Sequence, residues 1–254
     1  MKDKTTIITR IRNRNSILSD TLHNWLQFNI PIIIVDYRDD GCELAWDVVK
    51  SYKDNVTVIE TKYEYNFNPA HAWNLGISQC QTEYVLLLDI DDILTHDFFD
   101  KNAPIDGCFI SGWGKHSLFG VCYIKKAYFD KSGGFNENML YMGNADQDLY
   151  KRLEALGYRQ MLVLSSTAHH KDHPRNLTII NSFQDASTIV PEEHAWHHLR
   201  NKMNELNGSI MDLVPWSIKS KRCKWTLTEI EQNRLQAIRV PHAYVAPPPT
   251  KSNK

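Results

Sequence analysis

Three aspartates follow an apolar segment near the middle of the chain, and their spacing indicates metal chemistry. The segment reads Leu86-Leu87-Leu88-Asp89-Ile90-Asp91-Asp92. In extended backbone, successive side chains point to opposite faces, so Asp89 and Asp91 are expected to lie on the same side. Mg²⁺ and Mn²⁺ prefer such carboxylate oxygens, and substrate phosphates commonly complete the ligand shell. The alternative is a solvated turn in which Asp92 caps the next short helix.

The elements before this cluster alternate between strand and helix. Apolar runs predict strands at Thr5–Ile11, Ile32–Val35, Val56–Glu60 and Tyr84–Asp89. Helical spacing predicts a helix after each of the first three, the first capped by Ser16, the second over Cys42–Tyr52 and the third over Pro69–Gln79. Unbroken apolar strands predict an α/β fold with a mostly parallel, Rossmann-like sheet flanked by helices. Ligands bind at the carboxyl ends of such strands, where Asp36 and Asp89 lie.

The second half of the chain predicts shorter elements and a C-terminal extension. Further short strands are expected at Cys108–Ile110, Phe119–Ile124 and Arg159–Leu164, and a helix at Asp146–Leu156. Beyond about residue 174, helices are expected over Pro191–Leu206 and Thr226–Ile238, the latter because Thr226 and Glu229 fit a capping box. The predicted organisation is a catalytic domain at 1–174, a helical extension at 175–246 for acceptor or oligomer contacts, and a disordered tail at 247–254.

Composition narrows the functional classes. The chain has 254 residues and a net charge of −1, from 29 Lys plus Arg against 30 Asp plus Glu, which does not indicate a generally basic nucleic-acid binder. Its longest apolar runs are too short to span a bilayer, and its beginning lacks a secretory h-region. Five scattered cysteines without a CxxC pair predict reduced thiols in a cytoplasmic protein.

Four ordered segments carry a resemblance to a known family. Asp89-Ile90-Asp91 after an apolar strand resembles the DxD motif of nucleotide-sugar glycosyltransferases with the GT-A fold, most closely family 2. The other matching segments are Ile32–Asp36 with Asp39-Asp40-Gly41, Ala72–Ile77, and Gly133–Glu137 followed by Asp146–Leu153. Together they span about residues 5–170. The resemblance implies a GT-A-like domain that uses Mn²⁺ or Mg²⁺ and a nucleotide-diphosphate sugar carrying UDP or GDP.

The resemblance also implies roles for single residues around the metal and the acceptor. Asp91 would ligate the metal, and Asp89 would contact the metal or the ribose. Asp146 would be the general base of an inverting enzyme, acting through position because a helix N-terminus lowers a carboxylate pKa. The family's glutamate before this aspartate is replaced by Ala145. A late histidine is expected on the metal or diphosphate, with His169, His170 and His173 as candidates.

Three further residues would belong to the nucleotide pocket. Asp36 would hold the base or ribose, although it could instead cap the helix that follows Cys42. Asn74 lies in the matching helical segment. Arg12, with Arg10 and Arg14, leaves the first strand beside Asp36 and could bind the diphosphate or a polyanionic acceptor. A solvated turn is the alternative for these arginines.

The sequence leaves open several acceptors and more than one functional class. Four basic residues stand between Trp216 and Trp225, a pattern that suits nucleic acid, an anionic membrane or a plain basic surface. The acceptor could be a surface glycan, a hydroxymethylated DNA base of the kind that phage enzymes modify, or a protein or metabolite. A nucleotidyltransferase is disfavoured because the Arg12-Asn13-Arg14-Asn15 loop lacks glycine. A non-catalytic module that binds sugars or nucleic acid is a further alternative, which Ala145 supports in part.

Overall fold

A mixed nine-stranded sheet forms the centre of the protein. The computed structural model describes residues 1–37, 42–52, 54–62, 68–112, 118–137, 144–172, 225–230 and 234–239. The strands are β1 (Thr5–Ile11), β2 (Ile32–Asp36), β3 (Val56–Lys62), β4 (Tyr84–Leu87), β5 (Asp92–Leu94), β6 (Cys108–Ser111), β7 (Cys122–Lys125), β8 (Arg159–Leu162), β9 (Ala168–His170), β10 (Trp225–Ile230) and β11 (Arg234–Arg239). The helices are α1 (Asn15–Leu26), α2 (Ala45–Val49), α3 (Pro69–Gln79), α4 (Phe98–Lys101), α5 (Lys126–Lys131) and α6 (Ala145–Ala155).

The strand order is β10-β11-β3-β2-β1-β4-β7-β6-β8, and β5 pairs with β9 in a separate small sheet. The neighbours from β11 through β3, β2 and β1 to β4 are parallel, whereas β7 is antiparallel to both β4 and β6. The predicted α/β fold with a mostly parallel sheet is confirmed. The parallel register places the ends of β1, β2 and β4 at one edge.

Each face of the sheet has its own apolar cluster. Ile7 and Ile8 are adjacent on β1 and fully buried, yet they contribute to opposite clusters because side chains alternate along a strand. Ile7 packs with residues of α1 such as Trp25, and Ile8 packs with residues of α3 such as Trp73. Helices therefore cover both faces, as the unbroken apolar strands predict.

Helix α3 shows how sequence sets an element's boundary. Pro69 occupies the first helical turn, where its missing N–H costs no hydrogen bond, and the Asn68 side chain accepts a 3.0 Å hydrogen bond from His71 N. The predicted bounds of this helix are confirmed. Helix α1 instead begins at Asn15 with Arg14 as its N-cap, so the predicted cap at Ser16 is wrong.

The predicted helix over Thr226–Ile238 is also wrong. The chain forms β10 and β11 there, and β11 pairs in parallel with β3. Thr226, Thr228 and Ile230 are β-branched residues at alternating positions, a pattern that favours a strand over a helix. The predicted helix over Pro191–Leu206 and the basic segment between the two tryptophans lie outside the described residues.

Two expectations about the chain's setting bear on the described residues. Within these ranges, no helix has the length and apolar content needed to cross a bilayer. Cys42 is exposed, whereas Cys80, Cys108 and Cys122 are buried, and all four are free thiols. The redox state of these cysteines stays a prediction, and Cys223 lies outside the described part.

Candidate functional site

The segment Asp89–Asp92, which holds the three aspartates, forms a tight turn rather than a continuation of β4. Asp92 N donates to Asp89 O at 3.0 Å, and Asp89 N donates to Asp92 Oδ2 at 2.8 Å. These two hydrogen bonds close a ring over Asp89–Asp92. The expectation of extended backbone here is therefore wrong, because Asp92 uses its own side chain to turn the backbone.

Helix α1 holds this turn through polar side chains on its buried side. Thr21 Oγ1 donates to Ile90 O at 2.7 Å, and Trp25 Nε1 donates to Asp92 O at 2.9 Å. Both side chains are fully buried, so each bond satisfies a polar group that would otherwise be costly to bury. Sequence reasoning treated this face only as apolar packing. A threonine and a tryptophan among its core positions were the available signal.

The small β5–β9 sheet brings a histidine to the turn. In this antiparallel pair, Asp92 lies opposite His170 and Ile93 lies opposite His169. His170 Nδ1 stands 3.3 Å from Asp91 Oδ1 and 3.7 Å from Asp92 Oδ1. His169 is exposed and on the alternate side of the strand. Of the candidate histidines, the structure therefore brings His170 to the aspartates, and His173 lies outside the described residues.

Asp91, Asp92 and His170 offer ligand atoms within 4.8 Å of one another, a spacing that suits a divalent cation. Asp92 Oδ1 is buried and makes no hydrogen bond to any described residue. Burial raises the pKa of Asp92 to about 7, although the nearby His170 imidazole acts in the opposite direction. The nearby Asp92 carboxylate raises the pKa of His170. A buried acceptor oxygen beside a carboxylate and an imidazole fits Mn²⁺ or Mg²⁺.

Arg10 of β1 and Arg14, the N-cap of α1, bind the aspartates of the predicted DxD motif. Arg10 Nη1 donates to Asp89 Oδ1 at 2.5 Å, and Arg14 Nη2 donates to Asp91 Oδ2 at 2.6 Å. Burial would raise the pKa of Asp89, but the charge and hydrogen bond of Arg10, with the charges of His170 and Arg14, together lower it. Arg12, the arginine predicted for the diphosphate, has a side chain that is only 4% exposed. The structure thus brings Arg10 and Arg14 to the acidic turn.

Asp146 lies near the start of α6 and within electrostatic reach of this turn. Burial raises the pKa of Asp146, and the charge of Asp89 raises it further, while hydrogen bonds from the backbone of Gln147 and of Asp146 itself and the charge of Arg10 lower it. The expectation that a helix N-terminus would lower this pKa is wrong, because desolvation is the larger effect. A raised pKa makes the carboxylate a stronger proton acceptor.

Asp148, one half-turn further along α6, has a different environment. It is 6% exposed and binds the Arg152 guanidinium through Oδ2, at 2.6 Å from Nη2. Arg152 Nη1 also donates to Ser132 O at 2.6 Å, which ties the helix to the turn before Gly133. These contacts give Asp148 a structural role and leave Asp146 as the acidic residue of α6 near the cluster.

Asn74 is committed to internal contacts. Its Nδ2 donates to Phe135 O at 2.9 Å and to Glu137 Oε1 at 2.8 Å, and its Oδ1 accepts from Phe135 N at 2.8 Å. Asn68 Nδ2 adds a bond to Glu137 O at 3.0 Å. Helix α3 thereby holds the segment at Gly133–Glu137. The structure does not bring Asn74 to the acidic turn, and its predicted contact with nucleotide stays a prediction.

Asp36 ends β2 at the same sheet edge and is 1% exposed. Its Oδ2 accepts a hydrogen bond from Ala45 N at 2.9 Å, at the start of α2. This is the capping contact that sequence reasoning gave as the alternative to nucleotide binding. A role for Asp36 toward a nucleotide stays a prediction.

Comparisons with known proteins agree with this arrangement. Residues 5–108 match the family model described as "Glycosyltransferase like family 2". No curated protein matches the chain. Among solved structures, the catalytic domain of Drosophila β1,4-galactosyltransferase 7 with xylobiose is similar at a TM-score of 0.56 and 12% identity, with 94% of each chain covered. A variant of that enzyme with manganese, UDP-Gal and xylobiose gives a TM-score of 0.57 and 12% identity, again with 94% of each chain covered.

A second enzyme shows the same likeness. The mannosyltransferase PcManGT from Pyrobaculum calidifontis, in complex with GDP-Man and Mn²⁺, has a TM-score of 0.55 and 14% identity, covering 84% of this chain and 76% of that one. At such identities the likeness shows the fold, which is that of GT-A glycosyltransferases. With the match over residues 5–108, it supports the predicted assignment as a glycosyltransferase.

Proposed function

We propose that this protein is a metal-dependent, inverting glycosyltransferase that moves a sugar from a nucleoside-diphosphate sugar to a hydroxyl group. The observation that carries the proposal is the cluster of Asp91, Asp92 and His170 at the carboxyl edge of the sheet, beside Asp89. The similar structures hold Mn²⁺ with UDP-Gal or GDP-Man, which supports a donor of this class.

In the proposed site, Asp91 and His170 hold the divalent cation. Their facing atoms, Oδ1 and Nδ1, are 3.3 Å apart and come from different elements, so a single ion could join the turn to β9. Asp92 supports both, because its Oδ2 closes the turn and its Oδ1 lies beside His170. The cation would neutralise charge on the departing diphosphate.

The residues at the strand ends would bind the nucleotide. Asp89 is 30% exposed at its side chain, against 4% for Asp91, so Asp89 is the more accessible carboxylate of the motif. We assign it to the ribose hydroxyls, which a carboxylate recognises by accepting hydrogen bonds. Arg12 and Asp36 are proposed to line the same pocket, since Asp36 ends β2 and Arg12 directly follows the end of β1 at this edge of the sheet.

Asp146 is proposed as the general base. Its carboxylate would accept the proton of the acceptor hydroxyl as that oxygen attacks the anomeric carbon. The bond between that carbon and the diphosphate oxygen then breaks, and the nucleoside diphosphate leaves with the bonding electron pair. Attack from the face opposite the leaving group inverts the anomeric configuration. The raised pKa of Asp146 suits this step, because it brings the base closer to neutral pH.

A carbohydrate hydroxyl is the acceptor that we favour, because one similar structure holds xylobiose. A hydroxymethylated DNA base is the second acceptor class. The basic segment that motivates this second class lies outside the described residues, so the assay includes hydroxymethylated DNA as a candidate acceptor. The free thiols of the described part support a cytoplasmic setting, where cysteines stay reduced.

The test measures release of nucleoside diphosphate from a panel of UDP- and GDP-sugars, with Mn²⁺, with Mg²⁺ and with EDTA. Candidate acceptors are simple sugars, xylobiose and hydroxymethylcytosine DNA. We expect release that requires the metal and is stimulated by one acceptor. Release of sugar 1-phosphate in place of nucleoside diphosphate would instead indicate transfer of the nucleotidyl group. Nucleotide-sugar binding without turnover would indicate a binding module.

Three variants assign the roles within this assay. Asp91→Asn should lose Mn²⁺ binding measured by electron paramagnetic resonance. Asp146→Asn should keep Mn²⁺ and nucleotide binding but lose transfer by at least about 100-fold, the usual contribution of a general base. Asp100→Asn removes an exposed carboxylate of α4 and is the matched control. Full transfer by Asp146→Asn would remove Asp146 from the mechanism.

A further inference from the structure

The Asp89 carboxylate is enclosed by a glycine on one side. A Cβ built on Gly120 would lie 2.1 Å from Asp89 Oδ2 and 2.2 Å from its Cγ. Carbon and oxygen atoms cannot approach so closely, so any other residue at position 120 must displace the carboxylate or the backbone. Gly120 lies in a turn that Val121 N closes on Leu118 O at 3.1 Å. The turn before β7 therefore forms one wall of the Asp89 position.

An arginine stacked on a tryptophan forms the opposing contact. Arg10 Nη1 binds Asp89 Oδ1 at 2.5 Å, and the centre of the Arg10 guanidinium lies 4.5 Å from the centroid of the Trp73 ring. A planar guanidinium can stack on an aromatic face while its N–H groups donate in the plane, which a lysine ammonium cannot do. The register of β1 against β4 explains why Arg10 contacts Asp89. Ile8 pairs with Leu87, and Arg10 and Asp89 each lie two residues beyond this pair.

The Trp73 ring is held by a contact with a second aromatic ring. It is 4% exposed and stacks on Phe135 with ring centroids 6.2 Å apart and an interplanar angle of 21°. Phe135 is held in turn by the two backbone hydrogen bonds to Asn74. A continuous path of contacts thus connects the segment after Gly133 with Asp89, by way of Trp73 and Arg10.

We infer that Arg10, stacked on Trp73, is a positioning residue that presses Asp89 against Gly120 and fixes the orientation in which Asp89 meets the nucleotide. This inference rests on the proposed function, because it assumes that Asp89 binds the nucleotide. Asp91 and His170 do not take part in this path. Disturbing it should therefore weaken nucleotide binding and leave the binding of Mn²⁺ alone unchanged.

The test compares Gly120→Ala, Arg10→Lys, Trp73→Leu and Asp89→Asn with the unmodified protein. Calorimetry with UDP and GDP in saturating Mn²⁺ gives nucleotide affinity, and electron paramagnetic resonance gives Mn²⁺ affinity without nucleotide. We expect each variant to lose about tenfold in nucleotide affinity with Mn²⁺ affinity retained. Arg10→Lys keeps the positive charge, so a loss of nucleotide affinity in this variant would show that stacking and orientation matter beyond the charge. Arg159→Lys, at an exposed arginine of the edge strand β8, is the matched control.

The outcomes separate this inference from the proposed function. If the unmodified protein binds neither nucleotide with Mn²⁺, the proposed function fails. If Asp89→Asn loses affinity while Gly120→Ala and Arg10→Lys keep it, Asp89 contacts the nucleotide but needs no positioning, and the inference is overturned. Equal loss of Mn²⁺ affinity in Gly120→Ala would also overturn it, since the path would then serve the metal residues. Thermal melts identify any variant that fails to fold, and Arg10→Lys keeps the test decisive because it adds no volume near Asp89.

Discussion

Replacing Asn74 by alanine should destabilise the protein rather than selectively remove a nucleotide contact. Asn74, Phe135 and Glu137 are at most 3% exposed. The substitution removes the bonds from Asn74 Nδ2 to Phe135 O and Glu137 Oε1 and the bond from Phe135 N to Asn74 Oδ1. A net value of about 1 kcal/mol for each bond gives about 3 kcal/mol, and the buried groups left without partners raise the expected cost to about 3–5 kcal/mol.

Urea unfolding followed by tryptophan fluorescence measures this cost. With a urea dependence of about 3 kcal/mol per molar, the unfolding midpoint should fall by about 1 M or more. Asn24→Ala is the matched control, because Asn24 also makes a reciprocal pair of bonds, with Leu94, but is only half-buried. Its loss should be about 1–2 kcal/mol. A midpoint no lower than that of Asn24→Ala, together with lost UDP and GDP binding, would refute the reasoning and place Asn74 in the nucleotide pocket.

Three further predictions concern charge and reactivity. Asp148→Asn should lower the free energy of unfolding by about 2–3 kcal/mol, measured by thermal or urea unfolding, because it weakens the buried pair with Arg152. Nucleotide affinity should persist, and unchanged stability would contradict the structural role of Asp148. Arg14→Gln should tighten Mn²⁺ binding about tenfold at low ionic strength, because it removes a positive charge 2.6 Å from Asp91. Weaker Mn²⁺ binding, measured by electron paramagnetic resonance, would contradict this prediction. In timed iodoacetamide labelling read by peptide mass spectrometry, exposed Cys42 should react well before Cys122, whose pKa burial raises to about 12; equal rates would contradict the burial of Cys122.

The first half of the fold could be predicted because its information is local. Unbroken apolar runs mark β1 to β4, and Asn68 with Pro69 marks the start of α3. The carboxyl edge that collects Asp36 and Asp89 follows from parallel pairing alone. The hairpin of β10 and β11 was missed because a capping-box pattern at Thr226 was given more weight than the alternation of β-branched residues.

The arrangement of the candidate site could not be predicted because it depends on contacts between distant parts of the chain. Selecting His170 over His169 requires the register of β9 against β5, which the sequence does not show. The inclusion of Asp92 in the cluster requires the closed turn, because in an extended segment it would face away from Asp91. Asp146 was found from its motif, but the direction of its pKa shift depends on burial by other segments.

Each acidic side chain of the turn faces a basic side chain from another element. Asp89 pairs with Arg10, Asp91 with Arg14, and Asp92 lies 3.7 Å from His170. Three adjacent carboxylates would repel one another in a partly buried site, so these partners allow the turn to form before any metal binds. If a divalent ion binds Asp91 and His170 as proposed, its positive charge would repel the Arg14 guanidinium, which lies 2.6 Å from Asp91 Oδ2. That repulsion is the physical reason to expect tighter Mn²⁺ binding in Arg14→Gln.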